Sequence, residues 1–176
     1  MRFDPLPLAG AFLIVPERHA DERGFFARTA CETELAANGL VARYPQSSIS
    51  YNARRGTVRG LHYSVEPGAE TKLVRCTAGE VHDVLLDLRP GSPTYLRAAV
   101  VRLSAENRLS LYVPAGLAHG FQTLGDGAEL LYMIDIPFSA ASQRGVRWDD
   151  PAFDIAWPEP VSVISERDRD YPDYRA

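Results

Sequence analysis

The stretch Arg59-Gly60-Leu61-His62-Tyr63 is followed, ten residues after the histidine, by Lys72 in Thr71-Lys72-Leu73-Val74-Arg75. Together they set a titratable base beside a lysine and two arginines. Both stretches read as β-strands, and as neighbouring ones. Alternate side chains of a strand point to opposite faces, so Arg59 and Leu61 are expected on one side and His62 on the other. A histidine next to cations suits an anionic substrate that must lose a proton. A histidine in an apolar strand is by default a core residue, so the rest of the chain must supply a proton donor and an anion site.

The remaining histidines compete poorly for that role. His19 lies in the charged run Glu17-Arg18-His19-Ala20-Asp21 and reads as a solvated loop residue. His82 shares an apolar strand face and reads as structural. His119 sits in Pro114-Ala115-Gly116-Leu117-Ala118-His119-Gly120-Phe121, a loop of small residues that lets backbone approach a ligand. No His-x-His pair occurs and the histidines lie on separate segments, which argues against a metal centre. A Gly-x-Ser-x-Gly elbow, an activated cysteine and a phosphate-binding glycine loop are all missing. Phosphate would have to be met by side chains, for which Arg23, Arg59 and Lys72 are the candidates. What is left is proton transfer. His62 is the natural base, and an acceptor for its second ring N–H would fix its tautomer. Tyr132, in Leu130-Leu131-Tyr132-Met133-Ile134-Asp135, is a candidate acid, although most strand tyrosines are core or rim residues.

The elements that must position these groups follow from length and punctuation. The 176 residues suit one domain, 1–176, with a sizeable core. A net charge of −4 argues against a nucleic-acid partner. No apolar run approaches the roughly 20 residues needed to cross a bilayer. The start, Met1-Arg2-Phe3-Asp4-Pro5, lacks the apolar core of a signal peptide, and Cys31 and Cys76 have neither metal nor redox spacing. A cytoplasmic location is expected, with no membrane partner.

The 13 glycines and 13 prolines separate short apolar runs, the pattern of many strands joined by turns. Strands are expected at 11–15, 24–29, 46–52, 58–63, 72–76, 81–88, 95–103, 109–113, 120–124 and 129–136. A helix is expected over 31–38, capped by Gly39, and a short one near 165–169 in a tail that wraps the body. Short strands this numerous, without intervening helices, suggest a sandwich or barrel of the jelly-roll kind.

The ordered blocks Asp21-Glu22-Arg23-Gly24-Phe25-Phe26, Gly56-Thr57-Val58-Arg59-Gly60-Leu61-His62-Tyr63, Lys72-Leu73-Val74-Arg75, Asp83-Val84-Leu85-Leu86-Asp87-Leu88-Arg89, Ser92-Pro93-Thr94-Tyr95, Pro114 to Phe121, Trp148-Asp149-Asp150-Pro151 and Ile155-Ala156-Trp157-Pro158 span nearly the whole chain. In these the sequence resembles the dTDP-4-dehydrorhamnose 3,5-epimerases. The resemblance implies an all-β, cupin-type jelly roll with one or two short helices, usually a homodimer with exchanged strands. The implied substrate is a nucleotide-diphospho-4-keto-6-deoxyhexose, and no metal or cofactor is implied. It assigns His62 as base, Asp168 of Ser165-Glu166-Arg167-Asp168 as its partner, Tyr132 as acid on the opposite sugar face and Lys72 to the enolate oxygen. Arg23 and Arg59 are assigned to the diphosphate, Phe26 to stacking near the base, and His119 to the sugar pocket.

Three departures from the family pattern bear on the substrate. Arg28 stands where a glutamate commonly pairs with thymine, and a guanidinium only donates hydrogen bonds, which leaves the base open. Phe138 replaces a frequent tyrosine, which leaves open whether C3, C5 or both are inverted. Gln46 and Asn52 flank a segment that differs from the usual Gln-x-Asn contact. The alternatives are an epimerase of one centre, one for another nucleotide sugar, or a sugar-nucleotide-binding cupin without turnover.

Overall fold

The computed structural model describes residues 1–175. Four short strands, β1 (Arg2–Pro5), β2 (Phe12–Val15), β3 (Arg18–Asp21) and β4 (Gly24–Ala27), lead into helix α1 (Glu32–Ala37). Eight strands follow: β5 (Gln46–Asn52), β6 (Val58–Ser64), β7 (Lys72–Ala78), β8 (Glu80–Asp87), β9 (Ala98–Ser104), β10 (Ser110–Val113), β11 (Leu117–Thr123) and β12 (Ala128–Ile134). The chain ends through β13 (Gln143–Gly145) and the single-turn helix α2 (Glu166–Arg169).

Two antiparallel sheets face each other, one in the order β1-β2-β10-β7-β12-β5 and one in the order β13-β6-β11-β8-β9; β3 and β4 form a separate hairpin. This is the expected all-β, cupin-type jelly roll with two short helices. Alternation builds its layers. Val74, Cys76, Leu111 and Leu130 from the larger sheet meet Val81, Leu85, Val101, Leu103 and Phe121 from the smaller in one buried cluster. The outer face of the smaller sheet, with Leu61, Val84, Leu86 and Ala118, is covered by Val146 and Phe153 and by Trp157 and Tyr174 of the tail. The outer face of the larger sheet packs Ile14, Leu73 and Tyr112 against Leu35 of α1.

The structure corrects several local expectations. Strands β6 and β7 lie in opposite sheets, so His62 and Lys72 face each other across the interior instead of side by side. Arg75 lies on the other face of β7 from Lys72 and takes no part in the cleft. Strand β11 begins at Leu117, so His119 is a strand residue and not a loop residue. His19 is exposed as expected, but on β3. Residues 95–97 lie outside the strand, in a turn closed by the Arg97 N–H donating to Thr94 O at 3.0 Å and tied to β8 by the Leu96 N–H donating to Asp87 O at 2.7 Å.

The strongest correction concerns Arg59 and His62, expected on opposite faces, which both line one cleft. Across β6 and β11, His62 pairs with His119 and Arg59 with Phe121. One residue of β11, Gly120, thus opposes Gly60 and Leu61 of β6. Such a two-against-one bulge breaks the period-two alternation and re-aims the side chains beyond it. It also brings the backbones together, so that a Cβ on Gly60, whose φ is +129°, would sit 2.5 Å from Gly120 Cα. Gly60→Ala is therefore expected to destabilise the fold by about 2–4 kcal/mol, through strain at positive φ and overpacking. Urea denaturation checks this, and a loss under 1 kcal/mol would show that the strands can part at no cost.

Candidate active site

A cleft of about 730 Å³ opens between the sheets. The smaller sheet contributes Arg59 and His62 from β6 and His119 and Phe121 from β11; the larger contributes Lys72 from β7 and Tyr132 and Ile134 from β12. Ser48, Ser50, Glu70, Phe138, Gln143, Arg167 and Asp168 are also among its lining residues.

His62 is tied to the tail. Its Nε2 lies 2.7 Å from Asp168 Oδ1, while Asp168 Oδ2 accepts the Gly60 N–H at 3.2 Å. Arg167 Nε donates to Oδ1 at 3.2 Å. Asp168 sits where it does because Ser165 caps α2, its Oγ accepting the Asp168 N–H at 3.1 Å. Ahead of the cap, Val163 bridges Thr57 at the start of β6, and its carbonyl accepts the Val58 N–H at 2.9 Å. Burial is the largest influence on the Asp168 carboxyl and pushes its pKa up. The hydrogen bond and charge of His62, with Gly60 and Arg167, outweigh it and hold the group at about 2. An ionised Asp168 only accepts, which favours the ring proton on Nε2 and the lone pair on Nδ1, and Arg167 Nη2 lies 3.1 Å from the same Nε2.

Across the cleft the charges are buried and paired. Lys72 Nζ lies 3.1 Å from Glu70 Oε1, with both side chains less than a tenth exposed. His119 Nε2 lies 2.9 and 3.0 Å from the two oxygens of Asp83. The Tyr132 ring stands edge-on to His119 at 5.9 Å between centroids. Burial, and after it the charge of Asp83, push the Tyr132 phenol well above the usual tyrosine value, against a smaller opposing pull from Arg59. It stays neutral and can surrender its proton only to a strong base such as a carbanion.

Other residues singled out in the sequence lie elsewhere. Arg23 is exposed at the β3–β4 turn and pairs with Asp21 at 2.5 Å, and Phe26 beside it is 75% exposed. Arg28 donates to Glu34 at 2.9 Å. Asn52 is buried, with Oδ1 accepting the Arg59 Nε–H at 2.7 Å, so it steadies an arginine from behind. Gln46 Oε1 accepts the Phe138 N–H at 2.9 Å and pins the rim that carries Phe138. None of these five lines the cleft of its own chain.

Glu70, Asp83 and Arg167 were missed by sequence reasoning. Glu70 and Asp83 left a signal: an acid two residues before a lysine, and an acid on an apolar strand face, each need a buried cationic partner. Arg167 left none. Among the described residues no three His, Cys, Asp or Glu side chains group to hold a metal ion, and no helix is long and apolar enough to cross a membrane.

Known proteins resemble this chain along nearly its whole length. The family model for dTDP-4-dehydrorhamnose 3,5-epimerase matches residues 5–176. A dTDP-4-dehydrorhamnose 3,5-epimerase of Sinorhizobium fredii is 44% identical, over 98% of this chain and 89% of its own length. The crystal structure of the Bacillus anthracis dTDP-4-dehydrorhamnose 3,5-epimerase with TDP and PPi bound superposes with a TM-score of 0.94 at 36% identity, covering 98% of this chain and 99% of that one. The corresponding Elizabethkingia anophelis structure gives 0.94 at 36%, covering 99% and 96%.

The depressed Asp168 pKa has a defined sign. Its contribution to stability is complete above about pH 4 and is lost as pH falls through about 2. Roughly 2 kcal/mol is at stake. Urea titrations between pH 5 and 2 should show Asp168→Asn with a shallower acid decline than the parent chain. Equal slopes would mean the carboxylate is not held by His62.

Proposed function

Given that this chain belongs to the dTDP-4-dehydrorhamnose 3,5-epimerase family, we propose that His62, Asp168, Lys72 and Tyr132 carry its reaction. The enzyme is an isomerase that epimerises C3 and C5 of dTDP-4-dehydro-6-deoxyglucose in deoxysugar biosynthesis. The single observation that carries the residue assignment is that the base and the candidate acid project from opposite sheets into one cleft.

The chemistry requires that placement. The C4 ketone acidifies the C3 and C5 protons because the carbanion delocalises as an enolate. His62 removes a proton from one face, with Asp168 stabilising the imidazolium that forms. Lys72 receives the enolate oxygen, an effect worth about 10²–10³ in rate for one such donor. Tyr132 returns a proton to the other face, which inverts the centre; each positioned proton transfer contributes about 10²–10⁴. The raised Tyr132 pKa keeps the phenol protonated until the carbanion forms. His119, held by Asp83, lines the sugar end. Arg59 and Arg167, both on the cleft wall, supply the cations for the diphosphate.

The β3–β4 hairpin joins neither main sheet; Arg18 ties its base to the Glu106 and Asn107 carbonyls, while Phe25 and Phe26 stay exposed, an apolar surface that marks an interaction site. We place it in the cleft of a second copy in a homodimer, where Arg23 reaches the diphosphate and Phe26 the base.

Turnover in deuterated water should place deuterium at both C3 and C5. His62→Ala should lose epimerisation by at least about 10²-fold, and Tyr132→Phe should keep binding dTDP while losing inversion. Deuterium at one position alone would narrow the enzyme to a single centre, a reading the missing hydroxyl at Phe138 would then explain. Unchanged turnover by His62→Ala would remove the base assignment. Co-expressed Phe26→Ala and His62→Ala chains should be more active together than either alone, because one heterodimer cleft then has both groups intact. No gain on mixing would show that the hairpin does not cross to a partner.

A further inference from the structure

The block Trp148-Asp149-Asp150-Pro151 has no role in the site described so far. Asp150 is only 4% exposed, and a buried carboxylate is costly unless its oxygens are satisfied. Its neighbour Arg147 pairs with Asp149 at 2.7 Å and with Asp173 at 2.5 Å rather than with it. Asp150 instead accepts backbone N–H groups: Ala152 on Oδ1 at 2.9 Å and Tyr174 on Oδ2 at 2.6 Å. The second of these donors comes from the far end of the tail. The Tyr174 ring packs on Phe153 at 5.2 Å, and its hydroxyl meets that of Tyr95 at 2.8 Å. Together these form a built receptor for one tail residue.

Between that receptor and the cleft lies α2. A single four-residue turn cannot hold its own shape, since nucleating a helix costs more than one turn returns. Its leading end is fixed by the bridge from Val163 to Thr57. Its trailing end passes Tyr171, whose ring presses on Gly145 so closely that any Cβ there would overlap it. Gly145 is the cross-strand partner of His62. The tail thus returns over the strand beside the histidine before it is tied down at Asp150.

We propose that Asp150 is a positioning residue for the His62–Asp168 pair, acting by anchoring the tail at Tyr174 so that α2 holds Asp168 on the imidazole. The inference rests on the reading of that pair as the catalytic base. It makes the tail beyond α2 part of the catalytic apparatus although none of it touches substrate. A displacement of about 1 Å at a catalytic group costs about 10²-fold in rate, so loss of the anchor should lower kcat and leave KM nearly unchanged.

The test compares Asp150→Ala and Tyr174→Ala with Asp168→Asn on the full chain. Steady-state kinetics and the ¹⁵N-histidine spectrum are both read, with only four histidines to assign. Both anchor variants should lower kcat ten- to a hundredfold, keep KM within twofold, and weaken or lose the His62 Nε2–H signal that Asp168 protects. Should Asp150→Ala not fold, the same readings on Asp150→Asn, which keeps the size of the side chain but loses one carboxylate oxygen, decide. Retention of kcat within twofold, or loss of kcat with the His62 signal intact, overturns the proposal. If Asp168→Asn itself keeps full kcat, the catalytic reading of the pair fails instead, a result separate from failure of the anchor.

Discussion

The close passage of β6 over β11 at Gly60 and Gly120 is the constraint on which the rest of the site depends. It needs glycine on both strands, since a side chain on either would strike the other's backbone. The bulge it creates turns His62 toward the interior together with Arg59, which a regular strand would have kept apart. The same Gly60 gives its N–H to Asp168. One local irregularity therefore aims His62, brings in an arginine and helps receive the carboxylate that holds the imidazole.

The jelly roll turns this local arrangement into chemistry by presenting two walls. His62 stands on one wall and Tyr132 on the other, and inverting a carbon by removing and returning protons requires groups on opposite faces. Placing Lys72, His119 and Tyr132 in the interior carries a desolvation cost, and the fold offsets it with Glu70 and Asp83. Burial first, and after it the negative field of Asp83, keep Tyr132 protonated. The interior charges and the raised phenol pKa are thus two consequences of a single burial.

The fold was largely legible in the sequence because strand signals are local. Alternation around Val81, Asp83, Leu85 and Asp87, glycine and proline at the turns, and the Ser165 cap all act within a few residues. Errors arose where long-range contacts decide. Residues 95–97 alternate like a strand but are bent by hydrogen bonds to Asp87. The residues ahead of His119 read as a loop, yet Leu117 and Ala118 already pair with Asp87 and Leu86 of β8 as a ladder. The site was legible as a set of residue types. Its spatial division was not, since Arg23, Phe26 and Arg28 stand on or beside a hairpin away from the cleft, and Gln46 and Asn52 support its wall from outside.

By itself the sequence determined that the chain is a many-stranded jelly roll, and that a histidine, a lysine, a tyrosine and several arginines are available for proton transfer on an anion. Residue type and short-range periodicity suffice for that. Only the tertiary structure decided which of these groups meet. Strands β6 and β7 follow each other in the chain but part into opposite sheets, a bulge reverses the facing of Arg59 and His62, and Asp168 arrives at His62 from the far end of the chain. Each of these is set by backbone pairing between distant segments, which no local pattern of side chains encodes.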